Sequence, residues 1–202
     1  MEDKFAKTIS ILFHPVLIPS WFTLILFNSN TYISLLIPLQ LKYILFTMIF
    51  ITTAMFPLLF VVMMVKRKII SDIFMRKRED RIYPLAITAI FYFLSYYLIR
   101  QLPLYDVFSL FLLGSTFLVF FSFLITFFWK ISTHLIGIGG LLGGLTGLVI
   151  PLNLDFITMI IYGLLIAGLL GFARLQLNAH KPLQVYTGFI LAFFVMLTIF
   201  LI

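Results

Sequence analysis

Long apolar runs, separated by short polar segments, dominate the pattern along this chain. A run of about 18 apolar residues can cross a bilayer as a helix, because a helix rises about 1.5 Å per residue and the hydrocarbon is about 30 Å thick. The pattern therefore predicts an all-α, polytopic transmembrane helical bundle of six to seven spans. The predicted spans are 8–28, 41–65, 84–100, 107–129, 134–151, 156–173 and 183–202.

Composition supports this assignment and narrows the chemistry. Of the 202 residues, 63% are hydrophobic and 10% are charged, which is typical of an integral membrane protein. The chain has no cysteine and three histidines, so disulfides and thiolate metal sites are excluded and a multi-histidine metal centre is not expected. We therefore predict neither a metal nor another cofactor. The stretch from Tyr32 to Leu39 contains Pro38 and is too short to cross, so it is expected at the interface.

The basic residues are distributed unevenly between the two sides of the membrane. If each predicted span crosses, all of the 14 basic residues except Lys42 and Arg100 fall on the side of the N-terminus. This asymmetry predicts that the N-terminus and the basic loops are cytoplasmic. Attraction to anionic headgroups accounts for the net charge of +7, so the expected partners are membrane lipids rather than nucleic acid.

Three polar clusters interrupt the apolar pattern. Cluster one is the loop 76–84, cluster two is 130–134, and cluster three is 174–184. Each cluster is separated from the next by an even number of predicted spans. The three clusters are therefore predicted to emerge on the same side of the membrane.

Cluster three contains Arg174, with His180 six residues later and Gln184 four residues after that. An arginine can grip phosphate with two parallel hydrogen bonds, and a histidine at a helix start can serve as nucleophile or acid-base group. Gln184 shares a helix face with His180 if the helix begins near Pro182. The alternative is an interfacial loop whose arginine and lysine reach towards the headgroups.

Cluster two places Ser132 and Thr133 at the start of an apolar run, directly before His134. Both are suitable N-cap residues, so the N–H groups of the first turn would face a bound anion. A capped helix with an interfacial histidine explains the same residues equally well. The glycines that follow at spacings of four, such as Gly139 and Gly143, predict close helix packing.

Two further polar features carry expectations of their own. Lys77 and Arg81 are four residues apart and would share a helix face, although a solvated loop in which Glu79 and Asp80 pair with neighbouring bases is the alternative. His14 precedes Pro15 within the first span. There, a backbone carbonyl freed by the proline kink is expected to accept its proton.

Taken in order, the clusters resemble the three signature motifs of the type 2 phosphatidic acid phosphatase superfamily, whose members share a helical fold with vanadium-dependent haloperoxidases. The resemblance extends from about Lys77 to the C-terminus, and the chain also looks like small hydrophobic members from one group of Gram-negative bacteria. In the second motif, Thr133 occupies the position where the family has glycine. In the third motif, Gln184 occupies the position where the family has aspartate. The residues that match are Lys77, Arg81 and Pro84, then Ser132, Thr133 and His134, then Arg174, His180 and Gln184.

The resemblance implies a metal-independent phosphatase that acts on a lipid or isoprenoid phosphate or pyrophosphate. His180 would form a phosphohistidine, His134 would protonate the leaving oxygen and activate water, and Gln184 would take the place of the orienting aspartate. The phosphate would be held by Lys77, Arg81, Ser132, Thr133 and Arg174. The implied setting is one integral membrane domain over 1–202 in a bacterial inner membrane, with N-terminal helices in 1–65 and the family-like core in 66–202.

Two other classes of function stay open. An inactive relative would bind a lipid phosphate headgroup or scaffold partner proteins, and the neutral Gln184 is the feature that favours this reading. A transporter is the third class, but the polar residues gather at helix ends rather than in mid-membrane, where transporters bind their substrates.

Overall fold

The computed structural model describes residues 2–75, 77–102, 106–152 and 155–202, and within these ranges all regular secondary structure is helical. A 3-10 turn at Pro15–Leu17, a π-helical turn at Ile51–Met55 and a 3-10 turn at Glu79–Arg81 join the α-helices. The α-helices are α1 (Glu2–Leu12), α2 (Ile18–Asn28), α3 (Tyr32–Leu36), α4 (Leu39–Phe50), α5 (Phe56–Lys66), α6 (Ile82–Arg100), α7 (Asp106–Thr126), α8 (Thr133–Leu152), α9 (Ile157–Gln176) and α10 (Pro182–Leu201).

Six helical stretches in the described residues are long and apolar enough to cross a membrane, so the predicted helical bundle is confirmed and the chain is an integral membrane protein. A shorter apolar helix covers Thr133–Val149, and α3, too short to cross, lies within the stretch expected at the interface. The six stretches are Asp3–Asn28, Leu39–Lys66, Glu79–Arg100, Asp106–Thr126, Ile157–Gln176 and Pro182–Leu201.

The chain divides into two compact units. The first unit comprises residues 1–18 and 130–202, and the second comprises residues 19–129. The first unit thus combines α1 and the 3-10 turn after it with α8, α9 and α10. The second unit contains nearly all of α2 and the helices α3 to α7.

Backbone contact between parallel helices α8 and α10 organises the first unit. A Cβ atom added to Gly139 would lie 2.5 Å from the Phe189 carbonyl oxygen, and one added to Gly143 would collide with the Phe193 carbonyl oxygen. The predicted role of these glycines in close packing is therefore confirmed. The other main pair in this unit is α1 with α9, and α9 also packs against α8.

The second unit is built around the pair of α6 and α7. The π-helical turn between α4 and α5 lets Thr52 Oγ1 hydrogen-bond with Ser95 Oγ of α6 at 2.9 Å. The rings of Phe22 and Phe111 stack with centroids 3.7 Å apart. A hydrogen bond between two buried side chains and a stacked pair of aromatic rings therefore lie in the core of this unit.

Candidate functional site

The first helix breaks where Pro15 follows His14, and the break exposes a backbone acceptor. A residue before proline is driven out of the helical region, and His14 has φ −62° and ψ 136°. Its N–H donates to the Ile11 carbonyl at 3.2 Å rather than to the Ser10 carbonyl, which a continuing α-helix would use. The carbonyl oxygen of Ser10 is therefore released from the helix ladder.

Ser10, which is 7% exposed, joins three helices of the first unit. Nε2 of His134 lies 3.1 Å from the released Ser10 carbonyl oxygen, and Nη1 of Arg174 donates to Ser10 Oγ at 3.2 Å. The hydroxyl in turn donates to the Ala6 carbonyl at 2.8 Å. Because a carbonyl oxygen only accepts, Nε2 of His134 carries a hydrogen in this contact. The second and third clusters thus meet at one residue of α1.

His14 lies beside the same group of side chains. Its ring meets the His134 ring edge to face, with centroids 5.4 Å apart and planes at 80°. Nδ1 of His14 is buried and has no hydrogen-bond partner among the described residues. The expectation that a carbonyl freed by the kink accepts the His14 proton is therefore not met at Nδ1. The freed carbonyl of Ser10 accepts from His134 instead.

The turn after α9 sets the spacing between Arg174 and His180. Asn178 adopts the left-handed region with φ 49°, and its N–H donates to the Leu175 carbonyl at 2.9 Å. The Ala179 N–H then donates to the Arg174 carbonyl at 3.1 Å. These two hydrogen bonds form the Schellman motif that ends many helices, and asparagine tolerates its left-handed residue better than most side chains. A hydrogen-bonded turn therefore fixes the chain from the arginine to the histidine.

Gln184 faces back towards the start of α10. Its Oε1 accepts from the Lys181 N–H at 3.0 Å and lies 3.3 Å from Nδ1 of His180. An N–H needs an acceptor, so the amide oxygen rather than the amide nitrogen must face Lys181. Nδ1 of His180 is then the donor in the second contact. This leaves the lone pair of the neutral His180 ring on Nε2.

Ser132 takes the N-cap position of α8, where its carbonyl accepts from the Ile136 N–H at 3.0 Å. Its side chain does not cap the helix as the sequence predicts, since Oγ is fully buried and has no hydrogen-bond partner among the described residues. The Ser132 N–H donates to the Gln184 carbonyl at 3.2 Å, which holds this segment against α10. Thr133, the first residue of α8, is half-buried.

Arg174, in the last turn of α9, is a half-buried cation without a described counter-ion. Its Nε is buried and lacks a hydrogen-bond partner among the described residues, and none of their carboxylates lies within 4.0 Å of it. Arg174, His14 and His180 all lie close enough to His134 to interact with it electrostatically. The first unit therefore groups Arg174, His14 and His180 around His134, and a cation without a described counter-ion is suited to binding an anion.

Cluster one belongs to the second unit and does not form the predicted helix face. Lys77 is exposed and lies before the 3-10 turn, whereas Arg81 ends that turn and donates from Nε to the Met75 carbonyl at 3.2 Å. The prediction that both share a helix face is wrong, because Lys77 lies outside the 3-10 turn and hydrogen bonds from Ser71 to the Asp80 carboxylate tie this turn to the preceding loop.

The predicted pairing of the acidic residues with neighbouring bases holds for one of the two. Glu79 pairs with Arg78 at 3.3 Å. Asp80 instead accepts from the backbone and side chain of Ser71.

Sequence reasoning did not identify Ser10, and it assigned His14 a structural role. The usable signal was Pro15, because a proline inside a span releases carbonyls within the turn before it. Which released carbonyl is used, and by which side chain, depends on the packing of α1 against α8 and α9. Among the described residues, no group of three or more His, Asp or Glu side chains is arranged to hold a metal ion.

Comparison with known proteins adds no assignment to this geometry: no family model matches the chain, and neither does any curated protein or solved structure.

Proposed function

We propose that the first unit binds a lipid or isoprenoid phosphate and hydrolyses it through a phosphohistidine intermediate. Arg174 is the observation that carries the proposal. A half-buried guanidinium whose Nε is shielded from solvent is costly unless an anion compensates it, and no described carboxylate does so. The tetrahedral oxygens of a phosphate match the fixed fork of guanidinium donors.

The surroundings favour a phosphate that is attached to a membrane lipid. The exposed side of α9 near Arg174 is apolar, since Leu169 and Phe172, five and two residues before Arg174, are each about half exposed. A substrate with an apolar tail would stay in the bilayer while its phosphate reaches the end of α9. We therefore propose a lipid or isoprenoid phosphate rather than a soluble sugar or nucleotide phosphate.

The proposed reaction has two steps. In the first, the Nε2 lone pair of His180 attacks phosphorus, the P–N bond forms, and the P–O bond to the lipid breaks as His134 protonates the leaving oxygen. In the second, water attacks phosphorus, the P–N bond breaks, and His134 takes the proton of the water. Arg174 and the hydroxyl of Ser132 stabilise the charge on the phosphoryl oxygens throughout.

This mechanism uses residues of the first unit only. Lys77 and Arg81, which the resemblance adds to the phosphate-binding set, belong to the second unit and stay predictions. Thr133 contributes its backbone N–H at the start of α8 in this proposal. Substituting Lys77 and Arg81 one at a time, with phosphate affinity as the readout, tests their part separately.

Binding of a phosphate headgroup without turnover is the second candidate function. The contact between Gln184 and His180 favours it, because a neutral amide orients the imidazole but does not stabilise the imidazolium as a carboxylate does. Under this alternative, Arg174 and Ser132 keep their roles. The histidines then serve as hydrogen-bond partners of the headgroup.

We propose that the site lies on the cytoplasmic side of a bacterial inner membrane, since most basic residues fall on the side of the N-terminus. The absence of cysteine makes this testable by single-cysteine labelling. Asn28→Cys and Lys181→Cys lie at the ends of different spans, and both positions are exposed. An impermeant maleimide should label Lys181→Cys only after the cells are opened, and labelling of intact spheroplasts would reverse the assignment.

Phosphate release from a panel of lipids tests the catalytic proposal. The protein in lipid nanodiscs is mixed with phosphatidic acid, a phosphatidylglycerol phosphate or a prenyl pyrophosphate, and release is compared with His180→Ala. We expect release by the parent protein, none by the variant, and an acid-labile phosphoprotein in the parent alone. Binding of these lipids without release would favour the headgroup-binding alternative. A protein that neither bound these lipids nor released phosphate would contradict both candidates.

A further inference from the structure

We infer that Ser10 is a positioning residue of the phosphate site and that His134 consequently exchanges protons through Nδ1. The chemical part of this inference rests on the proposed function. The structural part is that Nε2 of His134, rather than Nδ1, donates to the Ser10 carbonyl. This part does not depend on turnover.

The side chain of Ser10 orients the cation. Its hydroxyl hydrogen is directed to the Ala6 carbonyl at 2.8 Å, so its lone pairs face Nη1 of Arg174 at 3.2 Å. This is the described hydrogen bond that restrains the guanidinium, whose Nε is buried and otherwise unsatisfied among the described residues. Removing the hydroxyl would leave Arg174 in place but free to rotate away from a bound phosphate.

The backbone of Ser10 orients the acid-base group. Pro15 breaks α1 so that the Ser10 carbonyl accepts from Nε2 of His134 at 3.1 Å instead of from the His14 N–H. A histidine with Nε2–H committed to a carbonyl has Nδ1 as its remaining nitrogen. The substrate must therefore approach His134 from the Nδ1 side.

The proton path follows from this assignment. The doubly protonated His134 ring gives the Nδ1 proton to the oxygen that leaves phosphorus, while its other hydrogen stays on Nε2 and is donated to the Ser10 carbonyl. The ring is then neutral with its lone pair on Nδ1. Nδ1 takes a proton from the water that attacks the phosphohistidine, which restores the starting state.

Two substitutions separate the two contributions of Ser10. Ser10→Ala removes the hydroxyl but keeps the carbonyl, so it acts on Arg174 alone. Pro15→Ala returns an N–H to the chain and removes the ring that excludes the helical conformation at His14, so it returns the Ser10 carbonyl to the helix ladder. Ser122→Ala is the matched control, because Ser122 is also buried and bonds the carbonyl four residues earlier, but in the second unit.

For Ser10→Ala we expect the dissociation constant for inorganic phosphate or vanadate, and KM where turnover is measurable, to rise about tenfold. The value of kcat should stay within about twofold, because His134 keeps its acceptor. Ser10→Thr should restore the affinity, since it keeps the hydroxyl. A Ser10→Ala protein whose affinity equals that of Ser122→Ala would overturn the positioning role.

Nitrogen NMR of protein labelled with ¹⁵N-histidine shows directly which ring nitrogen of His134 carries the hydrogen. The chain has three histidines, so His134→Gln identifies the signal. We expect the neutral ring to carry its hydrogen on Nε2 in the parent protein and to lose this preference in Pro15→Ala. A neutral His134 with its hydrogen on Nδ1 would contradict the inference. Because the spectrum needs no substrate, it decides this point even if no phosphate is released.

Discussion

Gln184 Oε1 accepts both the Lys181 N–H and, at 3.3 Å, Nδ1–H of His180, so one amide oxygen caps α10 and selects the tautomer of the histidine. A carboxylate at this position would do the same and would add a negative charge beside the ring. Gln184 therefore orients the His180 ring as a carboxylate would but adds no charge beside it.

Replacing Gln184 with glutamate should supply the missing charge. Glu has the same length as Gln and is favoured as the third residue of a helix, so it should accept from Lys181 and His180 without moving α10. We expect kcat for the best lipid phosphate to rise by about tenfold or more, which corresponds to about 1.4 kcal/mol of transition-state stabilisation. Phosphate release under saturating lipid measures this.

Gln184→Leu is the matched loss-of-function variant, because it keeps the volume and removes both hydrogen bonds. We expect it to abolish turnover, because Nδ1 of His180 loses its acceptor. Equal turnover by the parent and the leucine variant would contradict the role of Gln184 in selecting the His180 tautomer.

The left-handed Asn178 gives a prediction about the turn that carries His180. Asn178→Val should lower the free energy of unfolding by about 1–2 kcal/mol, because a β-branched side chain is strained at φ 49°. Asn178→Gly removes the side chain but tolerates this backbone, so it should unfold like the parent. Unfolding of both in detergent solution makes the comparison. A valine variant as stable as the glycine variant would contradict the Schellman geometry.

Because Arg174 has no described counter-ion, replacing it should weaken phosphate binding more than replacing an exposed arginine does. Arg174→Gln should weaken binding of inorganic phosphate about 10- to 100-fold, as expected for the loss of a charge-assisted contact. Arg100→Gln should leave it unchanged, because Arg100 is exposed at the end of α6 and bonds Tyr96. Calorimetric titration of the purified proteins measures both. Equal losses in the two variants would indicate a nonspecific effect of net charge.

The glycines of α8 and α9 differ in what surrounds them. Gly143→Ala should cost about 1–3 kcal/mol of stability, because the added methyl group collides with the Phe193 carbonyl. Gly168→Ala should change stability by less than about 1 kcal/mol, since no described atom lies within 4 Å of the new methyl group. Thermal unfolding in the same detergent compares them. Similar losses in both variants would contradict the backbone contact between α8 and α10.

The membrane helices were predictable because apolar run length maps directly onto bilayer thickness. The break in the first span was less visible. The sequence gives one apolar run from 8 to 28, and only Pro15 indicates that the helix stops at Leu12 and restarts at Ile18. The glycine pattern was also readable, since spacings of four place glycines on one helix face.

The proximity of His180 and Gln184 in the third cluster was predictable, because residues four apart at the start of a helix share a face and the contact is local. Ser10 was not, since its use depends on a released carbonyl meeting a side chain 124 residues away. The predicted helix face shared by Lys77 and Arg81 is wrong because Lys77 lies outside the short 3-10 turn that contains Asp80 and Arg81. Contacts between distant segments, such as that of Ser10 with His134, leave no periodic trace in the sequence.

The two helix pairs of the first unit divide the site between them. Ser132, His134 and Gln184 belong to the pair of α8 and α10, whereas Ser10 and Arg174 belong to the pair of α1 and α9. Each pair has its own packing contacts. A small slide of one pair past the other would change the distance from the guanidinium to the histidine nitrogens without unpacking either pair. If the proposed hydrolysis takes place there, the lateral pressure and thickness of the bilayer would alter its rate.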